Sequence, residues 1–198
     1  MKATHLVPSL LLIAGLSGQQ HLVTAGLFGP SQPRCDAPCV AGDESIMSPK
    51  EHGTSHVPVQ SNLRWQCDRK VADRICNYNR HYAEYSGYWE TTTFLSDPST
   101  QDASEEKPVT FYDSNTGNPL FTAPVGRSWR EFLIESRYHG WPSFRDAEVH
   151  WETVRMLPNG ETVSIDGTHL GHNLPDRSGP RYCINLVSIA GNPSTDTE

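Results

Sequence analysis

Cys183 lies in Arg181-Tyr-Cys-Ile-Asn185, eleven residues after His172 of His169-Leu-Gly-His172. A thiol attacks as its thiolate, and an unperturbed cysteine has a pKa of about 8.5. Residues two apart on a strand point to one face, so Arg181 and Asn185 share the face of Cys183. A cation there stabilises the thiolate. Histidines titrate close enough to neutrality to deliver or relay protons. The chemistry these residues suit is nucleophilic sulfur attack with acid–base help. Two plainer readings of the same residues stay open. One is a buried structural cysteine beside two surface histidines. The other is a metal site, but His-x-x-His plus one Cys leaves tetrahedral zinc short of a nearby fourth ligand.

The elements that must hold these residues are short. Strand-like runs occur at Pro108–Tyr112, around Val149–Met156, at Glu161–Ile165 and at Tyr182–Ile189, and Asn159-Gly160 between two of them is a hairpin signal. Trp129–Ser136 reads as one short helix, and residues 95–107 as a polar loop. Cys67, Val71, Ile75, Tyr78 and Tyr82 recur at helical spacing, which predicts an amphipathic helix over 63–84. On that helix Cys67 and Cys76 would be separated by about 13.5 Å of rise and half a turn. They could not then bridge, because a disulfide needs Cα atoms within about 7 Å. The basic residues between Arg64 and Arg80, interrupted by Asp68 and Asp73, read as a solvated helix face.

The N-terminal part differs in character. Lys2, the apolar Leu6–Leu16 run and the small residues that follow it, with Ser17 or Ala25 as cut points, read as a signal peptide over 1–25. That run is too short for a bilayer, which needs about 20 residues. The secretory pathway or the extracellular space is the expected location. The alternative is a plastid reached by a signal plus transit sequence, with Thr24–Pro30 as the junction. Residues 26–62, rich in Pro, Gly, Ser and acidic groups, read as a disordered linker, and 192–198 as a tail. The chain has fifteen Gly and fifteen Pro, so turns are frequent and elements short. Its net charge of -7 offers no footprint for phosphates, which excludes a general nucleic-acid role. No later segment is apolar enough to be transmembrane. Five cysteines leave one unpaired even where disulfides form.

Five segments in order resemble the B-type methionine-R-sulfoxide reductases: Tyr85-Ser-Gly-Tyr-Trp89, Gly117-Asn-Pro-Leu-Phe121, Gly140-Trp-Pro-Ser-Phe144, His169-Leu-Gly-His172 and Arg181-Tyr-Cys-Ile-Asn185. They lie within residues 85–191, about half the chain, where the resemblance places the domain. The resemblance implies a mainly β fold, a small antiparallel β-tent domain preceded here by the helix and the disordered N-terminal segment. It implies that Cys183 attacks the sulfoxide sulfur, that His172 and His169 supply the proton, and that Arg181 lowers the thiol pKa. Asn185 would fix the polar end. Trp141 and Phe144 would line the substrate side, with Trp141 against the methyl group. Cys183 would leave the reaction as a sulfenic acid, which a second thiol must reduce.

The chain also departs from the family. Its two zinc-binding Cys pairs align with Asp113, Thr116, Val163 and Asp166, so zinc is not expected. The usual resolving cysteine aligns with His139. The candidates that remain are Cys67, Cys76, Cys35 and Cys39, together with an external reductant of thioredoxin or glutaredoxin type. No tightly bound cofactor and a monomer are expected, with oxidised methionine, free or in protein, as substrate. The stretch from Phe144 to His169 is shorter than is usual in the family. These departures keep open a non-catalytic ligand- or protein-binding module on the same fold.

Overall fold

Alternation of apolar and polar residues produces two antiparallel sheets in the computed structural model, which describes residues 34–194. β1 (Val109–Tyr112) pairs with β2 (Pro119–Ala123) as a two-stranded sheet. A five-stranded sheet holds β3 (Ser143–Phe144), β4 (Val154–Met156), β5 (Glu161–Ser164), β6 (His169–Asn173) and β7 (Tyr182–Ile184), in the order β3-β7-β6-β5-β4. The helices are short: α1 (Arg69–Asp73), α2 (Pro98–Gln101) and α3 (Trp129–His139). The fold is therefore mainly antiparallel β, as expected. β4 and β5 form the hairpin signalled by Asn159-Gly160, where Gly160 takes φ 86°. Aromatic side chains fill the space beneath. Phe121 stacks on Phe144 at 4.4 Å, and Phe111 meets Phe144 edge-on at 5.0 Å.

α3 covers the predicted 129–136 stretch and runs three residues further. Ser128 and Glu131 form its capping box, and Gly140 ends it in the left-handed conformation. Gly140 is also a point of close approach. A Cβ there would lie 2.0 Å from Ser86 Oγ, and its carbonyl accepts from Gly87 N–H at 2.8 Å. The end of α3 thus carries Trp141 to the Ser86–Gly87 turn.

Three expectations are corrected. The 63–84 helix is not continuous. Trp65 and Gln66 take left-handed φ values of 55° and 56°, and Asp68 caps α1 only after Cys67. A π-helical turn over Arg74–Tyr78 then shifts the phase. Ile75 stays buried, whereas Tyr78 and Tyr82 face solvent. The expected disordered linker is structured from Arg34 onward. Cys35 and Cys39 are disulfide-bonded, Met47 and Val59 are buried, and the strand-like segment at Ala41 bridges Met156. Gly42 N–H donates to the Met156 carbonyl and Met156 N–H to that of Val40, at 2.9 and 3.0 Å. The exposed backbone edge of β4 needs such partners, and that need outweighs the polar composition. The 95–107 loop contains α2, capped by Asp97. The signal-peptide reading of 1–25, residues 26–33 and residues 195–198 of the tail lie outside the described residues. Among the described residues no helix is long and apolar enough to cross a membrane.

At the four positions that align with zinc thiols, hydrogen bonds join the turns instead. Thr116 Oγ1 and Asn118 Nδ2 donate to Asp166 at 3.3 and 2.8 Å, and Thr168 Oγ1 donates to buried Asp113 at 2.9 Å. Val163 packs with Met47 and Leu157. One aliphatic side chain, one hydroxyl and two carboxylates already bonded elsewhere do not fit a tetrahedral thiolate centre.

Candidate active site

β6 and β7 place the chemistry. His172 and Ser143 are the cross-strand partners of Cys183 on its two sides. Gly171 must be glycine here, because a Cβ would lie 2.1 Å from the Cys183 carbonyl oxygen. Beside this pairing lies a cavity of about 170 Å³, lined by Cys183, His169, His172, Trp141, Asn185 and Leu174 together with residues 80–83. Five of the seven sequence-predicted site residues therefore share one cavity. Arg181 lies buried behind it, its Nε 3.4 Å from Asp176 Oδ2. Phe144 is a correction. It is fully buried in the aromatic core and touches no part of the cavity wall. β3 has two residues, and strand alternation turns Phe144 to the face opposite Ser143.

Each wall of the cavity is backed by a buried glutamate that sequence reasoning did not single out. On the histidine wall, His169 Nδ1 lies 2.7 Å from Glu161 Oε1. Arg80 Nε donates to both Glu161 oxygens at 3.1 and 2.9 Å, and Arg80 also pairs with Glu44. Burial pushes the Glu161 carboxyl up, but the bonds from His169 and Arg80 outweigh it and hold the group below its ordinary value. An ionised carboxylate can only accept, so Nδ1 carries the proton and Nε2 of His169 is left for the cavity. Burial, reinforced by the neighbouring His169, lowers the His172 pKa and keeps this imidazole neutral at pH 7. Arg80, expected on a solvated helix face, is instead a buried-pair partner and a wall of the site. The break in the helix turns it inward.

On the other wall, Trp141 Nε1 donates to the Glu84 carbonyl at 3.0 Å, and Glu84 N–H donates to Asn185 Oδ1 at 3.1 Å. The Glu84 carboxylate accepts from the Leu186 and Val187 N–H groups at 2.8 and 3.1 Å. Asn185 Nδ2 donates to the Leu170 carbonyl, which ties β7 to β6. Burial pushes the Glu84 carboxyl up to about 8, against the pull of its two backbone donors. Cys183 itself is half-buried. Burial raises its thiol pKa, Arg181 opposes this by charge and hydrogen bonding, and Glu84 adds to it. The expected effect of Arg181 is therefore present, but desolvation exceeds it.

The remaining thiols lie elsewhere. Cys35 and Cys39 are bonded to each other. Cys67 and Cys76 are free and buried, and burial pushes both thiols far up. Cys76 Sγ lies 3.5 Å from Ser188 Oγ.

No protein-family model matches the chain, and no solved structure matches it. A curated protein does match in part: over 68 residues the chain is 38% identical to the peptide methionine sulfoxide reductase MsrB of Methanosarcina mazei, covering 29% of this chain and 49% of that protein. The chain thus spans about half the length of that curated relative, and the likeness is to a methionine sulfoxide reductase, an oxidoreductase of sulfur.

Proposed function

We propose that this protein reduces methionine-R-sulfoxide to methionine through Cys183. The observation that carries the reading is the convergence of a half-buried thiol, two histidines and an indole on one cavity, which suits an apolar methyl sulfoxide. The neutral imidazole of His172 takes the thiol proton as sulfur attacks sulfur. The proton reaches the sulfoxide oxygen, with His169 held for the relay by Glu161. The S–O bond and the new sulfur–sulfur bond both break as the oxygen passes to the Cys183 sulfur, so methionine leaves with the electron pair and Cys183 carries the oxygen as a sulfenic acid. Two thiols of an external reductant of thioredoxin or glutaredoxin type then return Cys183 to the thiol, releasing water and a disulfide. An external reductant is favoured because Cys67 and Cys76 are buried and Cys35 is bonded to Cys39. That disulfide suits an oxidising compartment, in keeping with the secretory reading of the first residues.

A second reading, a ligand- or protein-binding module without turnover, draws on one observation: burial holds the Cys183 thiol above its ordinary pKa. One assay separates the two. Purified protein with dithiothreitol and the separate R and S epimers of dabsyl-methionine sulfoxide yields dabsyl-methionine from R alone, and Cys183→Ser abolishes the yield. No turnover by the parent protein leaves the binding module, and equal turnover by Cys183→Ser removes Cys183 as the attacking thiol.

A further inference from the structure

Glu84 is a buried acid that the proposed reaction does not use, yet it joins the site's separate parts. Its carbonyl holds Trp141 and its N–H holds Asn185. Its carboxyl group receives the two N–H groups that follow Asn185 in the chain. Three segments distant in sequence, 84, 141 and 185–187, thus meet on one residue. No cationic side chain pairs with it among the described contacts. The groups that feel its charge are Cys183, Cys67, Cys76 and Tyr88.

We propose that Glu84 is a positioning residue that locks Trp141 and Asn185 around Cys183 and sets the reactivity of that thiol through its own charge. The proposal rests on reading Cys183 as the reactive group, and it adds a means of control. While Glu84 is protonated, the thiol feels Arg181 without an opposing charge from Glu84. Once Glu84 ionises, a negative charge faces the forming thiolate and disfavours it.

Arg181 precedes Cys183 on its own segment, His172 pairs with it from β6, and the Glu84 carboxyl binds the N–H groups of Leu186 and Val187 just beyond it. Arg80, His81, Tyr82 and His169 line the same cavity. Ser143 on β3 brings no charge. Asp176 is held by Arg145 and Arg181. His172 ionises below the ordinary histidine range, and burial moves Cys67, Cys76 and Tyr88 upward, Tyr88 to about 12. Between pH 7 and 9 Glu84 is a neighbour whose charge changes, since burial pushes its carboxyl up to about 8. Two coupled groups titrate as a pair rather than independently.

The test is iodoacetamide alkylation of Cys183 across pH 6 to 10, read by peptide mass, in the parent protein and in Glu84→Gln. The two rate curves should coincide below pH 7 and diverge above pH 8. At pH 9 Glu84→Gln should be faster by roughly threefold, half a pKa unit of coupling. A purely structural role would displace the curve by one factor at every pH. Parallel curves, or superimposed ones, overturn the charge role. If Glu84→Gln does not fold, the parent curve decides: its slope must drop near pH 8, and a single unbroken titration overturns the proposal. Alkylation needs no sulfoxide. A parent protein that reduces no sulfoxide but shows the divergence refutes the reductase reading and leaves Glu84 in its role.

Discussion

The two walls of the cavity each rest on a buried glutamate, and the two glutamates carry opposite charge states at neutral pH. Glu161 and Glu84 are both nearly inaccessible to solvent. Glu161 is bonded by the Arg80 guanidinium and by His169, whereas the Glu84 carboxyl is bonded, among the described residues, only by backbone N–H groups. A full countercharge overcomes desolvation, and two peptide dipoles do not. The histidine wall therefore keeps a fixed anion that sets the tautomer of His169. The thiol wall keeps a neutral acid whose backbone holds Trp141 and Asn185 and whose carboxyl places no charge beside Cys183. Burial alone does not decide what a carboxyl group does. Its partners do.

The harshest way to break the comparison is to separate the walls. Gly171→Ala would drive a Cβ to 2.1 Å from the Cys183 carbonyl, a backbone atom that cannot swing aside. Overpacking typically costs about 1–3 kcal/mol, and here the upper end is expected because strand separation must change. Urea unfolding should show that loss, together with loss of sulfoxide reduction. A stable, active Gly171→Ala would mean that β6 and β7 tolerate a wider spacing. Glu161→Gln acts on one wall. It leaves Glu44 as the charged partner of Arg80 among the described residues and replaces the anion beside His169 by a neutral amide, whose oxygen or nitrogen can face the ring. Sulfoxide reduction should fall roughly 10²-fold, the usual scale of an acid–base contribution. The alkylation curve of Cys183 should move little, because Glu161 acts on the histidines. Equal damage to both readouts would show that the walls are not independent.

The cysteine, the histidines and Asn185 were legible in the sequence because local patterns single them out, and Trp141 entered through the resemblance alone. His172 and Cys183 face each other through strand alternation, and the turn at Asn159-Gly160 follows from backbone preference. Glu84, Glu161 and Arg80 were not legible. Each acquires its role from a contact between residues eight or more positions apart, and Arg80 meets Glu161 across 81 residues. Periodicity also misled where a local break intervened. The left-handed pair Trp65–Gln66 and the π turn after α1 turn one face into two, and no apolar spacing reports either. Phe144 sits in a motif whose neighbours line the cavity, yet pleating sends it to the core. The 34–62 segment looked unstructured because its stabilisation comes from the backbone edge of β4, which composition does not record.

The pH dependence of stability separates the two glutamates by sign. Glu161 is held below its ordinary value, so its contribution is present above the unfolded carboxyl pKa and is lost as pH falls through the folded one. Glu84 is raised, so its contribution is greatest below the unfolded value and is lost as pH climbs towards about 8. Asp113 behaves like Glu84 over a lower window, since burial pushes it up to about 6. The thermal midpoint should therefore rise out of acid, pass a maximum near the ordinary carboxyl range and decline to pH 8. In Glu84→Gln the decline should stop near pH 6, where Asp113 finishes titrating. In Asp113→Asn the part above pH 6 should persist. A Glu84→Gln midpoint that still falls between pH 6 and 8 would place the titrating acid elsewhere. A Glu161→Gln midpoint that keeps its full acid limb would remove the contrast between the walls.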